Sequence, residues 1–301
     1  MEASAAHRPV MVAEVVTWLD PARGGTFVDC TLGLGGHTRA LLEAGAGRVI
    51  GFDRDADALE RARVALASFG DRVAFVHADY KTLDAALDAQ GIGRVDGLLA
   101  DLGVSSMQLD EEGRGMSFRR DEPLDMRMDR STGPTVADLL VDVDETELAD
   151  VIYRFGEERH SRRVARAIVR ARADHPLRTT GELASLVRRA VPTRGWQRID
   201  PATRTFQALR IWVNGELDGL DVFLTAAAHR LADGARMAVI AFHSLEDRIV
   251  KHTLRGLAQS DRALVQVLTK RPLEATDAEV AENPRARSAK LRVAERLAGA
   301  A

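Results

Sequence analysis

Residues 26–38 decide the fold and read Thr-Phe-Val-Asp-Cys-Thr-Leu-Gly-Leu-Gly-Gly-His-Thr. The apolar pair at 27 and 28 predicts a short buried strand, and Gly33, Gly35 and Gly36 predict a tight turn into a helix. Glycine lets the backbone approach a ligand closely, because it has no Cβ and adopts positive φ at little cost. A helix that begins after such a turn directs unpaired N–H groups toward whatever binds there. The stretch therefore predicts a ligand-binding strand–turn–helix.

A second apolar strand ends at Asp53, about 20 residues after Gly33, the spacing at which a Rossmann-like unit places an acid on ribose hydroxyls. The dinucleotide form of the turn, G-x-G-x-x-G, would need glycine where Thr38 stands. Asp29, just before the turn, suits a ligand that carries a cation better than one that carries a pyrophosphate. The pattern favours a nucleoside-bearing cofactor such as S-adenosylmethionine. The alternative is a tight turn that binds nothing.

Composition sets the broad class of the protein. Its 301 residues are 46% hydrophobic and 29% charged, as in ordinary globular proteins, and no apolar run approaches the length of a membrane span. The N-terminus has no signal-peptide pattern, so we expect a cytoplasmic protein with no membrane partner. The single cysteine, Cys30, excludes an internal disulfide framework and a cysteine-rich zinc site, and no metal site is predicted.

Strands and helices alternate through the first hundred residues. Short apolar runs predict strands at 26–30, 48–52, 72–77 and 96–100, with helices at 38–44, 56–69 and 81–90 between them and a helix at 11–19 before them. A fifth strand is predicted at 236–242, and 263–269 and 289–294 can finish the sheet as an antiparallel pair. Continuous apolar runs suit a parallel sheet covered on both faces. The predicted fold class is α/β, with a mostly parallel sheet.

In such a sheet the ligand lies off the carboxyl ends of the strands. Acids stand at several of these ends: Asp29, Asp53, Asp79 and Asp101. Tyr80 follows Asp79, and we interpret it as a ring or backbone amide lying against a purine. The alternative for Tyr80 is an ordinary loop aromatic.

After the fourth strand the alternation stops and a helical, strongly charged region follows. Residues 138–150 carry six acids and no base, whereas residues 151–210 carry fourteen arginines against five acids. We name Arg162, Arg166 and Arg170, which recur on one side of a predicted helix, the arginine stripe. Such stripes are often only solvated charge, but the scarcity of acids favours contact with phosphates. We predict an α/β domain at 1–108 and 204–301, interrupted by an inserted helical domain at 109–203.

Details of these helices are also predicted. Asp144 with Glu147 and Thr179 with Glu182 form capping pairs, and Gly156 stands where a helix should stop. A long helix that begins near Pro201 is predicted to return to the sheet.

Several longer strings resemble a known family. They are DLGVSS at 101–106, PLDMRMD at 123–129, GEER at 156–159, PATRTFQALRI at 201–211, FHSLEDRIVK at 242–251 and NPRARS at 283–288. Together they resemble the bacterial 16S ribosomal RNA cytosine-N4 methyltransferases, from His7 to about Arg296. The resemblance implies a class I methyltransferase fold with an inserted helical domain. It also implies S-adenosylmethionine as cofactor, and a cytidine in the decoding region as substrate.

The resemblance further implies where the cofactor lies and what the partner is. Together with Gly33 of the turn, its cofactor contacts fall on Gly35, Gly36, His37, Asp53, Tyr80, Asp101 and Gln108. The expected partner is 16S rRNA in the assembled small ribosomal subunit, with free RNA as the alternative. The sequence does not distinguish a monomer from a dimer.

The chemistry needs an acceptor for the N–H groups of the target amine, so that its lone pair can attack the methyl group. Asp101 is the first catalytic candidate, although the resemblance also assigns it to the amino group of the cofactor. The acid–Pro–Pro–aromatic clamp of many amine methyltransferases is absent, since Leu102 and Gly103 follow Asp101. His243 is the second candidate; the alternative is that it only packs at a helix cap formed by Ser244 and Asp247.

Other reactions and functions are less favoured. Methylation at C5 would need a cysteine nucleophile, and the only cysteine lies in the turn. A nicotinamide dehydrogenase shares the strand–turn–helix but is disfavoured by Thr38. The remaining alternative is a ribosome-assembly factor that uses the fold only as an RNA-binding scaffold.

Overall fold

The computed structural model describes residues 9–105, 108–109, 111–192, 199–259 and 262–299. The chain divides into two compact units: unit 1 comprises Met1–Gly103 and Gly219–Ala301, and unit 2 comprises Val104–Asp218. Unit 2 therefore begins five residues before the predicted insert and ends fifteen residues after it.

The helices and strands follow one another in three groups along the chain. The first part of unit 1 contains α1 (Val12–Leu19), β1 (Thr26–Asp29), α2 (Gly36–Glu43), β2 (Arg48–Asp53), α3 (Ala56–Ala65), β3 (Val73–His77), α4 (Leu83–Ala89) and β4 (Val95–Asp101). Unit 2 contains α5 (Val136–Asp142), α6 (Glu145–Gly156), α7 (Ser161–Asp174), α8 (Thr180–Ala190) and α9 (Ala202–Asn214). Unit 1 resumes with α10 (Leu220–Arg230), β5 (Leu231–Ala241), α11 (Ser244–Gln259), β6 (Val265–Val267), β7 (Leu273–Glu274), α12 (Asp277–Glu282) and β8 (Lys290–Arg296).

Unit 1 is built on an eight-stranded sheet, which confirms the predicted α/β class. The strand order is β3-β2-β1-β4-β5-β8-β6, with β7 also paired to β8. Strands β1 to β5 are parallel, and β8 runs antiparallel to β5, β6 and β7. Successive strand residues enter different cores: Val28 and Leu98 pack with α4, α10 and α11, whereas Phe27 and Leu99 pack with α1, α2 and α3. Both faces of the sheet are therefore covered, as the continuous apolar runs predict.

Unit 2 has its own helical core, and one predicted helix belongs to it unexpectedly. Helix α9 packs on α6, and its Phe206 and Leu209 lie in the core of unit 2. The prediction that this helix returns to the sheet is therefore wrong. Close packing of α6 and α9 depends on Gly156, since a Cβ there would collide with the carbonyl oxygen of Arg204.

The caps follow the sequence more closely than the helix ends do. The Thr179–Glu182 capping box is present, and the Asp144 carboxylate accepts N–H groups at the start of α6. Gly156 is the last residue of α6 rather than its stop, because Glu157 takes the left-handed conformation, with φ of 50°. Within the described residues, no helix is both long enough and apolar enough to cross a membrane.

Candidate cofactor site

The glycine turn between β1 and α2 forms one wall of the site. Gly33 and Gly35 have φ of 52° and 79°, and the amide of Gly35 donates to the carbonyl of Leu32. A Cβ on Gly35 would collide with the side chain of Leu66, and one on Gly36 would collide with Pro9. Gly35 and Gly36 are thus required by packing within the protein as well as by any approach of a ligand.

Asp29 supports the turn from behind. It is fully buried; its Oδ2 accepts from the Thr38 hydroxyl at 2.8 Å and its Oδ1 from the Thr31 amide at 3.2 Å. Burial raises the pKa of the Asp29 carboxyl, an effect that His37 and these hydrogen bonds oppose. The interpretation of Asp29 as facing a cationic ligand is therefore wrong, because its carboxylate ties the two ends of the turn together.

Asp53 meets the turn as the spacing predicts. Its Oδ2 accepts from the amide of Gly33 at 2.8 Å, and its Oδ1 accepts from the amide of Asp55 at 2.8 Å. Burial raises the pKa of the Asp53 carboxyl from 3.8 to about 6, although the two amide hydrogen bonds act in the opposite direction. Each carboxylate oxygen can accept a second hydrogen bond, so the group can still receive hydroxyl donors.

His37 and Asp101 face each other beside the turn. The His37 Nε2 lies 3.5 Å from Asp101 Oδ2, and the Asp101 amide donates to the Thr31 hydroxyl at 2.7 Å. His37 is 5% exposed. Both ring nitrogens of His37 and the Oδ1 of Asp101 are buried without a hydrogen-bond partner among the described residues. Since buried polar atoms are normally paired, this pair has capacity for a polar ligand.

Electrostatics around His37 favour its charged form. Burial lowers the pKa of the imidazole, but neighbouring carboxylates outweigh burial and raise the pKa above 6.5. These carboxylates are Asp101, Asp29 and Glu279. Glu279 on α12 also accepts from the amide of Met11 at 2.6 Å. Glu279 could not be identified from the sequence, because nothing in its local pattern links it to a turn more than two hundred residues earlier.

Tyr80 and Asp79 stand at the end of β3. The Tyr80 ring packs on Phe223 of α10, with the ring centroids 4.6 Å apart and the planes tilted by 56°. The Asp79 carboxylate accepts from the Lys81 amide at 2.9 Å and lies 3.6 Å from Arg54. Tyr80 is half-buried, so packing on Phe223 leaves part of it accessible.

His243 stands just after β5, where it caps α11. Its Nδ1 accepts from the Glu246 amide at 3.4 Å, and its Nε2 lies 3.2 Å from Glu246 Oε1. Glu246 is 2% exposed and also accepts from the amide of Phe242 at 2.9 Å. Asp247 pairs with Arg292 at 2.7 Å, and the cap by Ser244 and Asp247 stays a prediction.

Two other residues considered in the sequence are Gln108 and Cys30. Gln108 belongs to unit 2. Its side-chain Oε1 accepts from the backbone amide of Ser105 at 3.0 Å, and its backbone amide donates to the Ser105 hydroxyl at 3.2 Å. Cys30 is buried, and burial raises the pKa of its thiol well above the usual range. A thiol kept protonated in this way is a poor nucleophile, as expected if no covalent intermediate forms.

The strand order, the antiparallel strand beside β5, the glycine turn and the acids at the ends of β2 and β4 define a Rossmann-like methyltransferase. Comparison with known proteins agrees with this class. The chain belongs to the MraW methylase family, whose model matches residues 4–297. The predicted family resemblance and the predicted enzyme class are thereby confirmed.

Individual relatives match over nearly their full length. The chain is 55% identical over 294 residues to the ribosomal RNA small subunit methyltransferase H of Sorangium cellulosum (strain So ce56), covering 98% of this chain and 92% of that protein. It is 54% identical over 293 residues to the protein of the same name in Deinococcus radiodurans, covering 97% and 90%. It is 52% identical over 292 residues to that of Cyanothece sp. (strain PCC 7425 / ATCC 29141), covering 97% and 95%.

Proposed function

We propose that the protein transfers a methyl group from S-adenosylmethionine to the exocyclic N4 of a cytidine in the decoding region of 16S rRNA. The observation that carries the proposal is the buried Asp101 carboxylate oxygen, which lacks a partner among the described residues and lies beside the glycine turn. The substrate class is supported by relatives more than 50% identical, which are named for methylation of small-subunit rRNA.

The residues of unit 1 fit the cofactor. S-adenosylmethionine supplies a methyl group on a sulfonium, which needs no metal and no covalent enzyme intermediate. Asp53 would accept hydrogen bonds from the ribose hydroxyls, and Tyr80 would lie against the adenine. The turn of Gly33, Gly35 and Gly36 would pass close to the amino-acid portion of the cofactor. The assignment of Gln108 to the cofactor stays a prediction.

His37 and Asp101 would hold the polar groups closest to the reaction. The unpartnered Oδ1 of Asp101 is an acceptor for N–H donors, and both the amino group of the cofactor and the N4 amine carry such donors. The raised pKa of His37 favours an imidazolium beside Oδ2 of Asp101, which leaves Oδ1 to face the amine. A carboxylate oxygen that accepts from the amine draws its lone pair out of the ring system and can receive its proton.

His243 is the second proposed catalytic residue, in a positioning role, because its Nδ1 already accepts from the Glu246 amide and its Nε2 faces the Glu246 carboxylate. Its ring is held in place by the backbone and the carboxylate of Glu246, so its orientation is restricted. Alignment of the amine with the methyl group can itself supply much of the rate acceleration. Because Glu246 fixes the orientation of the His243 ring, His243 is suited to align the amine with the methyl group.

We infer that unit 2 recognises RNA in the assembled small subunit. The three side chains of the arginine stripe on α7 are exposed, and one of them, Arg166, pairs with Glu145 at 3.1 Å. Nothing in the described structure favours the alternative of a non-catalytic scaffold.

The experiment that separates enzyme from scaffold is the Asp101→Asn variant. We expect methyl transfer to fall by roughly 100-fold or more, as for loss of a charged group at a reacting centre, while affinity for rRNA is retained. Asp96→Asn is the matched control, since Asp96 lies on the same strand at its other end and accepts from the amide of Thr26. Equal methyl transfer by the Asp101→Asn variant and the wild type would contradict the proposed role.

A further inference from the structure

Helix α11 carries a one-sided row of basic side chains that neither the motifs nor the arginine stripe include. Its exposed charged residues are Arg248, Lys251, His252 and Arg255, which we name the α11 basic stripe. At 100° and 1.5 Å per residue, these positions fall within an arc of about 100° and span about 10 Å along the helix. They therefore form one continuous surface.

The acids of the same helix are withdrawn from this surface. Glu246 is buried against Phe242 and His243. Asp247 is bound by Arg292 at 2.7 Å and lies 3.8 Å from Lys290. The stripe therefore has no acid of its own helix to neutralise it.

Three members of the stripe also lack partners elsewhere. In the described parts of the chain, no ion pair or side-chain hydrogen bond involves Lys251, His252 or Arg255. By contrast, Arg230 on the adjacent α10 is held by Asp84 and Asp88 at 2.6 and 2.7 Å. Among the described α-helices of unit 1, α11 is the only one whose exposed charges are all basic. Ordinary surface helices carry both signs, as α3 does.

The position of α11 connects this surface to the site. The helix begins at Ser244, three residues after the end of β5, and β5 runs parallel to β4, which ends at Asp101. Arg248 therefore stands about one helical turn from the carboxyl edge of the sheet, and the stripe leads away from that edge. An RNA strand that entered the site could continue along α11.

We propose that the α11 basic stripe binds the phosphate backbone of the substrate rRNA, as a contact made by unit 1 itself. The proposal rests on the proposed function for the identity of the RNA. Charge complementarity supports it, because a nucleic-acid strand presents several phosphates over about 10 Å. Phosphate contacts fix the register of the nucleic acid without reading its sequence, which is what positioning one cytidine requires.

The test compares a triple variant, Lys251→Gln with His252→Gln and Arg255→Gln, with the wild type. Binding to unmodified small ribosomal subunits and to naked 16S rRNA is measured across a series of salt concentrations. Loss of two full charges should reduce the slope of log affinity against log salt by roughly 1.4 to 1.8, and weaken binding roughly tenfold or more near 0.1 M salt. Affinity for S-adenosylmethionine and the melting temperature should not change, since the three side chains are exposed and have no partners among the described residues.

Two controls make the result specific. Arg48→Gln removes an exposed charge from the start of β2, at the opposite edge of the sheet, and should leave the salt slope unchanged. Lys251→Arg with Arg255→Lys keeps the charge and should also keep the slope.

The outcomes distinguish failure of the proposed RNA contact of the α11 basic stripe from failure of the proposed function. An unchanged slope and affinity in the triple variant, with the wild type binding and methylating rRNA, would overturn the stripe alone. A wild type that neither binds nor methylates rRNA would overturn the proposed function and the stripe with it.

Discussion

The state of Asp53 should control how cofactor affinity depends on pH. Its pKa of about 6 reflects burial, and ribose hydroxyls donate to the ionised carboxylate. Between pH 7 and pH 5 the ionised fraction falls from about nine-tenths to about one-tenth, so affinity for S-adenosylmethionine should weaken about tenfold. The folding stability of the cofactor-free protein changes with pH in the opposite direction to its cofactor affinity. A carboxyl with a raised pKa contributes stability that decreases as pH rises from about 4 to about 6.

The assay is calorimetric titration of the protein with S-adenosylmethionine at several values of pH, on the wild type and on Asp53→Asn. The asparagine cannot ionise, so the pH dependence assigned to Asp53 should disappear. Its single amide oxygen can accept from either Gly33 or Asp55 but its NH2 group faces the other donor, which should cost roughly 1–3 kcal/mol of stability. Asp96→Asn, at the opposite edge of the sheet, should keep the wild-type pH dependence.

Two results would refute this reasoning. One is wild-type affinity that stays constant from pH 7 to pH 5. The other is an Asp53→Asn variant that still loses affinity about tenfold over the same range, which would assign the titration to another group such as His37.

Three further predictions concern packing and RNA. Gly35→Ala should lower the free energy of unfolding by roughly 1–3 kcal/mol more than Gly234→Ala in urea denaturation, because both have positive φ but only Gly35 would bring a Cβ into a neighbouring side chain; equal losses would contradict the packing role. Replacing the arginine stripe with glutamine should reduce the salt slope of rRNA binding by about 2 without changing the melting temperature, and an unchanged slope would remove the role assigned to unit 2. Gly156→Ala should destabilise unit 2 by roughly 2 kcal/mol, measured by thermal unfolding, because its methyl group would meet the carbonyl of Arg204; an unaffected melting temperature would show that α6 and α9 separate easily.

The positions of the strands along the chain and the meeting of Asp53 with the glycine turn were predictable because both depend on local pattern. Continuous apolar runs identify strands that are buried on both faces, and the spacing from Gly33 to Asp53 corresponds to one strand–turn–helix–strand unit. A parallel sheet then brings the strand ends to one edge, so residues distant in sequence, such as Asp101, could be placed from topology alone.

The unit in which α9 packs and the orientation of the Asp29 carboxylate were not predictable from local pattern. An apolar stripe such as that of Phe206 and Leu209 shows that a helix has a buried face, but two cores were available and the pattern does not choose between them. Asp29 occupies the expected strand end, yet its carboxylate turns inward because the Thr38 hydroxyl lies within 2.8 Å. In the sequence pattern Thr38 is only a departure from G-x-G-x-x-G, whereas in the structure its hydroxyl donates to Asp29.

The central claim is tested most directly by methyl transfer from labelled S-adenosylmethionine to unmodified small ribosomal subunits and to naked 16S rRNA. The RNA is digested to nucleosides, and the product is identified by chromatography and mass spectrometry. The account predicts N4-methylcytidine in RNA from the assembled subunit. A C5-methylated or ribose-methylated nucleoside, or no transfer to either substrate, would contradict it.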